Sequence, residues 1–186
     1  KANMLILLTT ILLGAALTVW LDNSSAPPPP PANSITDVKV TSGDNQEIAP
    51  DFSFTDLSGK SHKFADYKGK VIIINFWATW CAPCVVEFPK LLELANNQPD
   101  IILLALSSDN DDQKIRKFLG KQKTPGSNVI IARDDNRHIT ADLFKTYKLP
   151  ESLIISAEGK IVRKIVGDTD WNSKEISELL ASLAQD

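Results

Sequence analysis

Apolar and polar positions change rhythm twice along this chain, dividing it into three parts. Met4 to Leu21, MLILLTTILLGAALTVWL, runs without a single charge; as a helix it spans about 27 Å, against a hydrocarbon core of about 30 Å. A membrane anchor is expected over residues 1–21, with Trp20 at the interface and Lys1 favouring an inside N-terminus. The competing reading is a cleavable signal peptide, whose apolar region is usually only about 7 to 15 residues long. Asp22 to Ser34, DNSSAPPPPPANS, has a proline run that favours an extended polyproline II spacer. Residues 22–46 therefore read as a linker, able to reach roughly 70 Å at most. Residues 47–186 read as the folded domain, long enough to bury one substantial core.

Within that domain the period alternates between strand and helix. FSFTDLSGKSHKF alternates about Ser58-Gly59 and predicts a β-hairpin. VIIINFW, Val71 to Trp77, is continuously apolar, as expected of a strand covered on both faces. Val85, Phe88, Leu91, Leu92 and Ala95 then recur at helical spacing, predicting a helix from near Cys81 that Pro89 should kink. IILLALS (Ile101 to Ser107) predicts a second buried strand, and SDNDDQKIRKFLGK a capped helix with Ile115, Phe118 and Leu119 inward. A strand over Asn128 to Ala132 and a short helix over Ile139 to Tyr147 follow. ESLIIS, a turn at Ala157-Glu158-Gly159, KIVRKIVG and the amphipathic SKEISELLASLA predict a strand, a strand and a terminal helix. Strands alternating with helices, closed by a hairpin and a helix, indicate an α/β domain with a mixed central sheet.

Composition changes this picture little. Of 186 residues, 43% are hydrophobic and 23% charged, ordinary for a globular chain. The net charge of −3 and the lack of a basic stripe give nucleic-acid binding no electrostatic support.

The chemistry lies in the chain's 2 cysteines, Cys81 and Cys84, placed where the first buried strand turns helical. Zinc needs about four ligands; there is no second cysteine pair, and His62 and His138 lie in polar, turn-like stretches away from Cys81. A structural clip across two residues closes too small a loop to stabilise much. A redox role has a mechanism. At a helix N-terminus the exposed N–H groups and dipole favour the Cys81 thiolate as nucleophile, and Cys84, one turn further in and more shielded, would resolve the mixed disulfide. Pro83 suits the first helical turn, where its missing N–H costs nothing. Glu87 shares a helix face with Cys84 by the i, i+3 rule and sits among apolar neighbours, so a partly buried carboxyl with a raised pKa is expected.

NFWATWCAPC resembles the active-site strand, turn and helix of the thioredoxin superfamily. With the anchor, the spacer, APDFSFTDLSGK, YKGKVIIINFWATWCAPCVVEFP and LPESLIISAEGKIV, the chain is similar to the membrane-anchored, extracytoplasmic thiol-disulfide oxidoreductases of the TlpA/ResA type, within the redoxin and AhpC/TSA-like group. The resemblance covers about Ile48 to Ala184. It implies a thioredoxin-like fold with an added N-terminal β-hairpin and a central helical insertion that includes the Asp112 to Lys121 helix. The implied activity is a protein-disulfide reductase with a redox-active Cys81–Cys84 disulfide, no dissociable cofactor and no metal. Its implied partners are protein dithiol or disulfide substrates such as apocytochrome c, in cytochrome c maturation or related metalloprotein assembly, and a membrane thiol electron donor. Its implied place is the bacterial inner membrane, single-pass, with the domain in the periplasm.

The same resemblance makes Trp80 an aromatic lid beside Cys81, sets Trp77 under the site and matches Pro89 to a kink-forming proline. Pro150 falls where the superfamily has a cis-proline loop facing the disulfide; Lys148 stands where a small residue is usual two positions before it. Thioredoxins carry an aspartate six residues before the first cysteine; here that residue is Asn75, so proton transfer at Cys84 needs another group, and Glu87 matches the acid of the C-x-x-E-F-P pattern. Other constellations fail on spacing. Asp109 to Lys114 begins like a calcium loop but lacks its glycine and terminal glutamate, Ala78 stands where a peroxidase would need threonine, and copper carriers of the Sco type space their cysteines by three. Two alternatives stay open on the same cysteines: a copper-handling module and a disulfide-donating oxidase.

Overall fold

A computed structural model describes residues 47–184. The expected anchor (1–21) and linker (22–46) lie outside the described residues, as does the end of the expected 47–186 domain. No helix among the described residues is long and apolar enough to cross a membrane.

The alternating stretch at the front forms the expected hairpin. β1 (Ser53–Thr55) pairs antiparallel with β2 (Ser61–Lys63), and Gly59 takes the left-handed φ of +88° that the reversal requires. A 3₁₀ turn (Phe64–Tyr67) leads into β3 (Val71–Trp77), buried along its whole length. β3 is followed by α1 (Ala82–Asn97), β4 (Ile101–Ser107), α2 (Asp112–Leu119), β5 (Val129–Arg133), β6 (Glu151–Ile155), β7 (Ile161–Val166) and α3 (Lys174–Leu183). The main sheet has the order β5-β4-β3-β6-β7. β3, β4 and β5 run parallel, joined through α1 and α2, while β6 and β7 add antiparallel on the other side. This is the mixed sheet of a thioredoxin-like fold.

The two faces of β3 explain its unbroken apolar run. Ile72, Ile74 and Phe76 point into a layer with Phe52, Phe54, Phe64 and Phe144, so the hairpin covers one side of the sheet. Ile73 joins the opposite layer with Leu91, Ala95, Leu103, Ile165 and Ile176. Trp77 completes that side, packing at 4.4 Å from Phe88 and 5.2 Å from Phe118. Position 75, on the same side, carries the strand's one polar side chain into the interface with α1.

α1 runs through Pro89 without interruption, although that proline cannot donate to the Val85 carbonyl. Asp111 caps α2 by accepting the Gln113 N–H at 2.8 Å; Ile115 is buried there and Phe118 and Leu119 are partly buried. Three expectations are corrected. Asn128 is not part of β5, because its side-chain amide instead donates to the carbonyls of Ala95, Gln98 and Ile101. The helix expected over Ile139 to Tyr147 is a single π turn, His138–Leu143. Asp134 holds its start through the N–H groups of Ile139 and Thr140, and Lys145 ends it with a left-handed φ of +53°. His62 is not in a polar turn: it is 9% exposed within β2, stacked on Phe54 and Tyr67, because Asp56 and Tyr67 satisfy both ring nitrogens.

Candidate active site

Cys81 is the N-cap of α1 and Pro83 falls in its first turn. The cap has no side-chain hydrogen bond; its position at the helix start is the one at which the free N–H groups and the helix dipole favour a thiolate. Cys81 and Cys84 form a disulfide with Cα atoms 5.2 Å apart. Cys81 is 7% exposed and Cys84 1%, which is the expected division between an approachable sulfur and a shielded one. Both pack with Trp77, Ala78, Phe88 and Leu92, and Trp80, immediately before Cys81, is 64% exposed.

The turn between β3 and α1 is pinned by a carboxylate whose place in the sequence suggests only the start of a helix. Asp109, buried just after β4, accepts the Thr79 N–H at 2.8 Å and the Thr79 hydroxyl at 2.6 Å. It also accepts the Ser107 hydroxyl at 2.7 Å. Fixing the backbone two residues before Cys81 fixes where α1 begins. A polar residue directly after a buried strand was the available signal, but its partner thirty positions away was not.

Glu87 is 3% exposed on α1. Asn75 donates its amide to Glu87 Oε1 at 3.2 Å and to Ser152 Oγ at 2.9 Å, and the Thr169 N–H donates to Oε2 at 3.0 Å. Burial is the largest influence on this acid and pushes its pKa up; the hydrogen bonds from Thr169 and Asn75 and the neighbouring Trp171 indole work against that, the charge of Asp168 works with it, and the result is about 7. Asn75 thus sets an amide on β3 against the carboxyl that the helix supplies. Ser152, Thr169 and Trp171 lie far along the chain, and no sequence signal tied them to Glu87.

Pro150 follows a cis peptide bond from Leu149. Register places it: Phe76 pairs with Glu151, so Pro150 lies at the end of β3 from which the cysteine turn departs, and Leu149 packs against the cluster that holds both cysteines. The loop is braced from below. The Pro150 carbonyl accepts the Gly167 N–H at 2.8 Å, and buried Glu151 takes the Thr146 hydroxyl and an ion pair with Lys164 at 2.9 Å. Tyr147 and Lys148 are exposed on its outer side. Thus the fold gathers Cys81, Cys84, Glu87, Pro150 and Trp80 at one end of the sheet, three of them within one helix and its cap.

Among the described residues, no group of three or more His, Cys, Asp or Glu side chains is arranged to hold a metal ion. His62 is engaged by Asp56 and Tyr67 in the hairpin, and exposed His138 pairs with Asp142 at 3.0 Å.

Comparison with known proteins agrees with this geometry. The Redoxin family model matches residues 42–183. The thiol-disulfide oxidoreductase ResA of Bacillus anthracis is 34% identical over 122 residues, covering 64% of this chain and 68% of that one. ResA of Geobacillus thermodenitrificans is 31% identical over 137 residues, covering 73% and 75%. A crystal structure of a putative thiol:disulfide interchange protein DsbE from Chlorobium tepidum superimposes with a TM-score of 0.64 at 26% identity, covering 74% of this chain and 96% of that one. A disulfide at a helix start, beside a cis-proline on a thioredoxin-like sheet, accounts for those likenesses: the chain belongs to the redoxin family, as a thiol-disulfide oxidoreductase of the TlpA/ResA type.

Proposed function

We propose that this oxidoreductase is an extracytoplasmic protein-disulfide reductase tethered at the membrane through residues 1–21, with apocytochrome c or a related metalloprotein precursor as substrate. The reading rests on the buried Glu87 with its pKa near 7, which is the property a proton acceptor needs to work near neutral pH. In the reduced protein the Cys81 thiolate attacks one sulfur of the substrate disulfide, the substrate S–S bond breaks, and one substrate thiolate leaves. Ionised Glu87 takes the proton from Cys84, and the Cys84 thiolate then attacks Cys81 Sγ in the mixed disulfide. That step forms the Cys81–Cys84 bond and releases the second substrate thiolate, so two electrons have passed to the substrate. Trp80 shields the attacking sulfur, and the Pro150 loop lies where an extended substrate segment lines up against the disulfide. A membrane thiol donor recharges the pair.

Anchor, spacer and the resemblance of the W-C-x-P-C block support the location and the substrate class. The test is the equilibrium reduction potential of the Cys81/Cys84 pair in the full chain, with turnover on a disulfide-bonded apocytochrome. A potential near that of thioredoxin, about −270 mV, with turnover is expected. A potential near about −120 mV with efficient oxidation of reduced proteins would make the protein a disulfide donor.

A further inference from the structure

Glu87 has more donors around it than its hydrogen bonds use. Trp171 stands in the turn between β7 and α3, 0% exposed, packed in the layer with Ile73, Leu91 and Ile165. Its indole Nε1–H is buried and has no hydrogen-bond partner. A phenylalanine would fill an apolar slot equally well, and an unpaired buried donor is costly. Yet this N–H stands beside Glu87, near enough to favour the anion. The segment that carries it is already anchored there, since Thr169, two residues earlier, donates its N–H to Glu87 Oε2.

A carboxylate accepts about four hydrogen bonds, whereas a carboxylic acid turns one oxygen into a donor. Asn75 and Thr169 each supply one, so room for a further donor exists on the ionised form. We propose that Trp171 is a positioning residue whose indole N–H is held in reserve for Glu87, closing on the carboxylate when it ionises and standing free when it is protonated. The proposal rests on the reading of Glu87 as the acceptor of the Cys84 proton. In that transfer the Cys84 S–H bond breaks, the electron pair stays on sulfur and the proton goes to a Glu87 oxygen, so Glu87 must be ionised beforehand. Trp171 and Thr169 favour that form. Asp168 opposes it from the same loop; on the helix of Glu87 itself Cys84 becomes titratable once the disulfide is reduced, and Lys90 and Glu93 are exposed to solvent. Among the described residues no Lys, Arg or His side chain is hydrogen-bonded to Glu87.

The test follows the Trp171 indole N–H resonance and the Glu87 carboxyl carbon by NMR, in the oxidised full chain in detergent micelles, from about pH 5 to 9. The indole proton is expected to move downfield with the midpoint of the Glu87 carboxyl, and to stay flat in Glu87→Gln. In Trp171→Phe the Glu87 midpoint is expected to rise by about one pH unit. The pH at half-maximal rate of protein-disulfide reduction should rise with it at unchanged KM. An indole resonance that ignores a titrating Glu87 would overturn the proposal, as would a folded Trp171→Phe chain with an unmoved midpoint. The wild-type indole titration decides the matter even if that variant does not fold. A Glu87 carboxyl that does not titrate in this range would instead remove the acceptor reading and the reserve donor with it.

Discussion

Glu87, one helical turn after Cys84, is met by two hydrogen-bond donors, whereas Asp56 in the hairpin is met by four: the Ser58 N–H and hydroxyl, the Lys60 N–H and His62 Nε2. Burial pushes both acids up. For Glu87 it prevails and the pKa reaches about 7. For Asp56 the bonds from Ser58, His62 and Lys60 outweigh it and hold the carboxyl well below the usual carboxylate range. One acid is thus poised to exchange a proton near neutrality and the other is locked as an anion. His62 belongs to the locked cluster, with Nδ1 facing the Tyr67 hydroxyl at 2.6 Å. On the proposed mechanism the difference separates a reactive group from a structural one: sparse donors in a dry site leave protonation open, and dense donors in a partly buried turn close it.

The largest expected effect concerns stability against pH. The folded-state pKa of Glu87 is raised from 4.5 to about 7. Its contribution is fully present below about pH 4.5 and is lost as pH rises through about 7, on the order of 3 kcal/mol in all. Denaturant unfolding of the oxidised protein at several pH values should show that loss, and Glu87→Gln should flatten it. An unchanged pH slope in the variant would place Glu87 with the ordinary carboxylates.

Next in size is the rate. Glu87→Gln should slow protein-disulfide reduction near neutral pH by about 100-fold, while Asp56→Asn should leave it within about twofold of wild type. Equal losses in both variants would erase the division between the two acids. Asp56→Asn should instead cost about 2 kcal/mol of folding stability near neutral pH, since it replaces an acceptor by a group that also donates. The wild-type contribution of Asp56 is present above its unfolded value of 3.8 and fades as pH falls below it, the opposite slope to that of Glu87. The smallest effect is Tyr67→Phe, which removes one bond to His62 and should cost about 1 kcal/mol by chemical denaturation, without any change in rate.

Sequence pattern showed the elements closely because hydrophobic period is local. β3 and β4 have the expected bounds, and Cys81 stands at the start of α1. It failed where side chains override period. Asn128 reads as a strand residue until its amide is seen on three carbonyls, and the helix expected to Tyr147 stops at Leu143 because Asp134 and Lys145 impose other backbone angles. His62 reads as exposed beside serine and lysine, since nothing in its neighbourhood announces that Asp56 and Tyr67 close around it. The site divides in the same way. Cys81, Cys84 and Glu87 were legible by helical spacing, and Pro150 and Trp80 only by resemblance. The partner of Asp109, and Thr169 and Trp171 altogether, were not legible, because each acts across the fold on a residue thirty or more positions away.

The amino-acid sequence by itself determined the strand that ends at Trp77, the helix that begins at Cys81 and the i, i+3 placement of Glu87 beneath Cys84, all consequences of short-range geometry. Only the tertiary structure decided what those groups can do. Sheet order brings Pro150 to the end of β3, the Asp109 carboxylate fixes the turn before Cys81, and the loop after β7 lays Thr169 and Trp171 on Glu87. The protonation of a buried acid depends on the dielectric and the donors that surround it. Those are supplied by residues remote in sequence, so they exist only once the chain has folded.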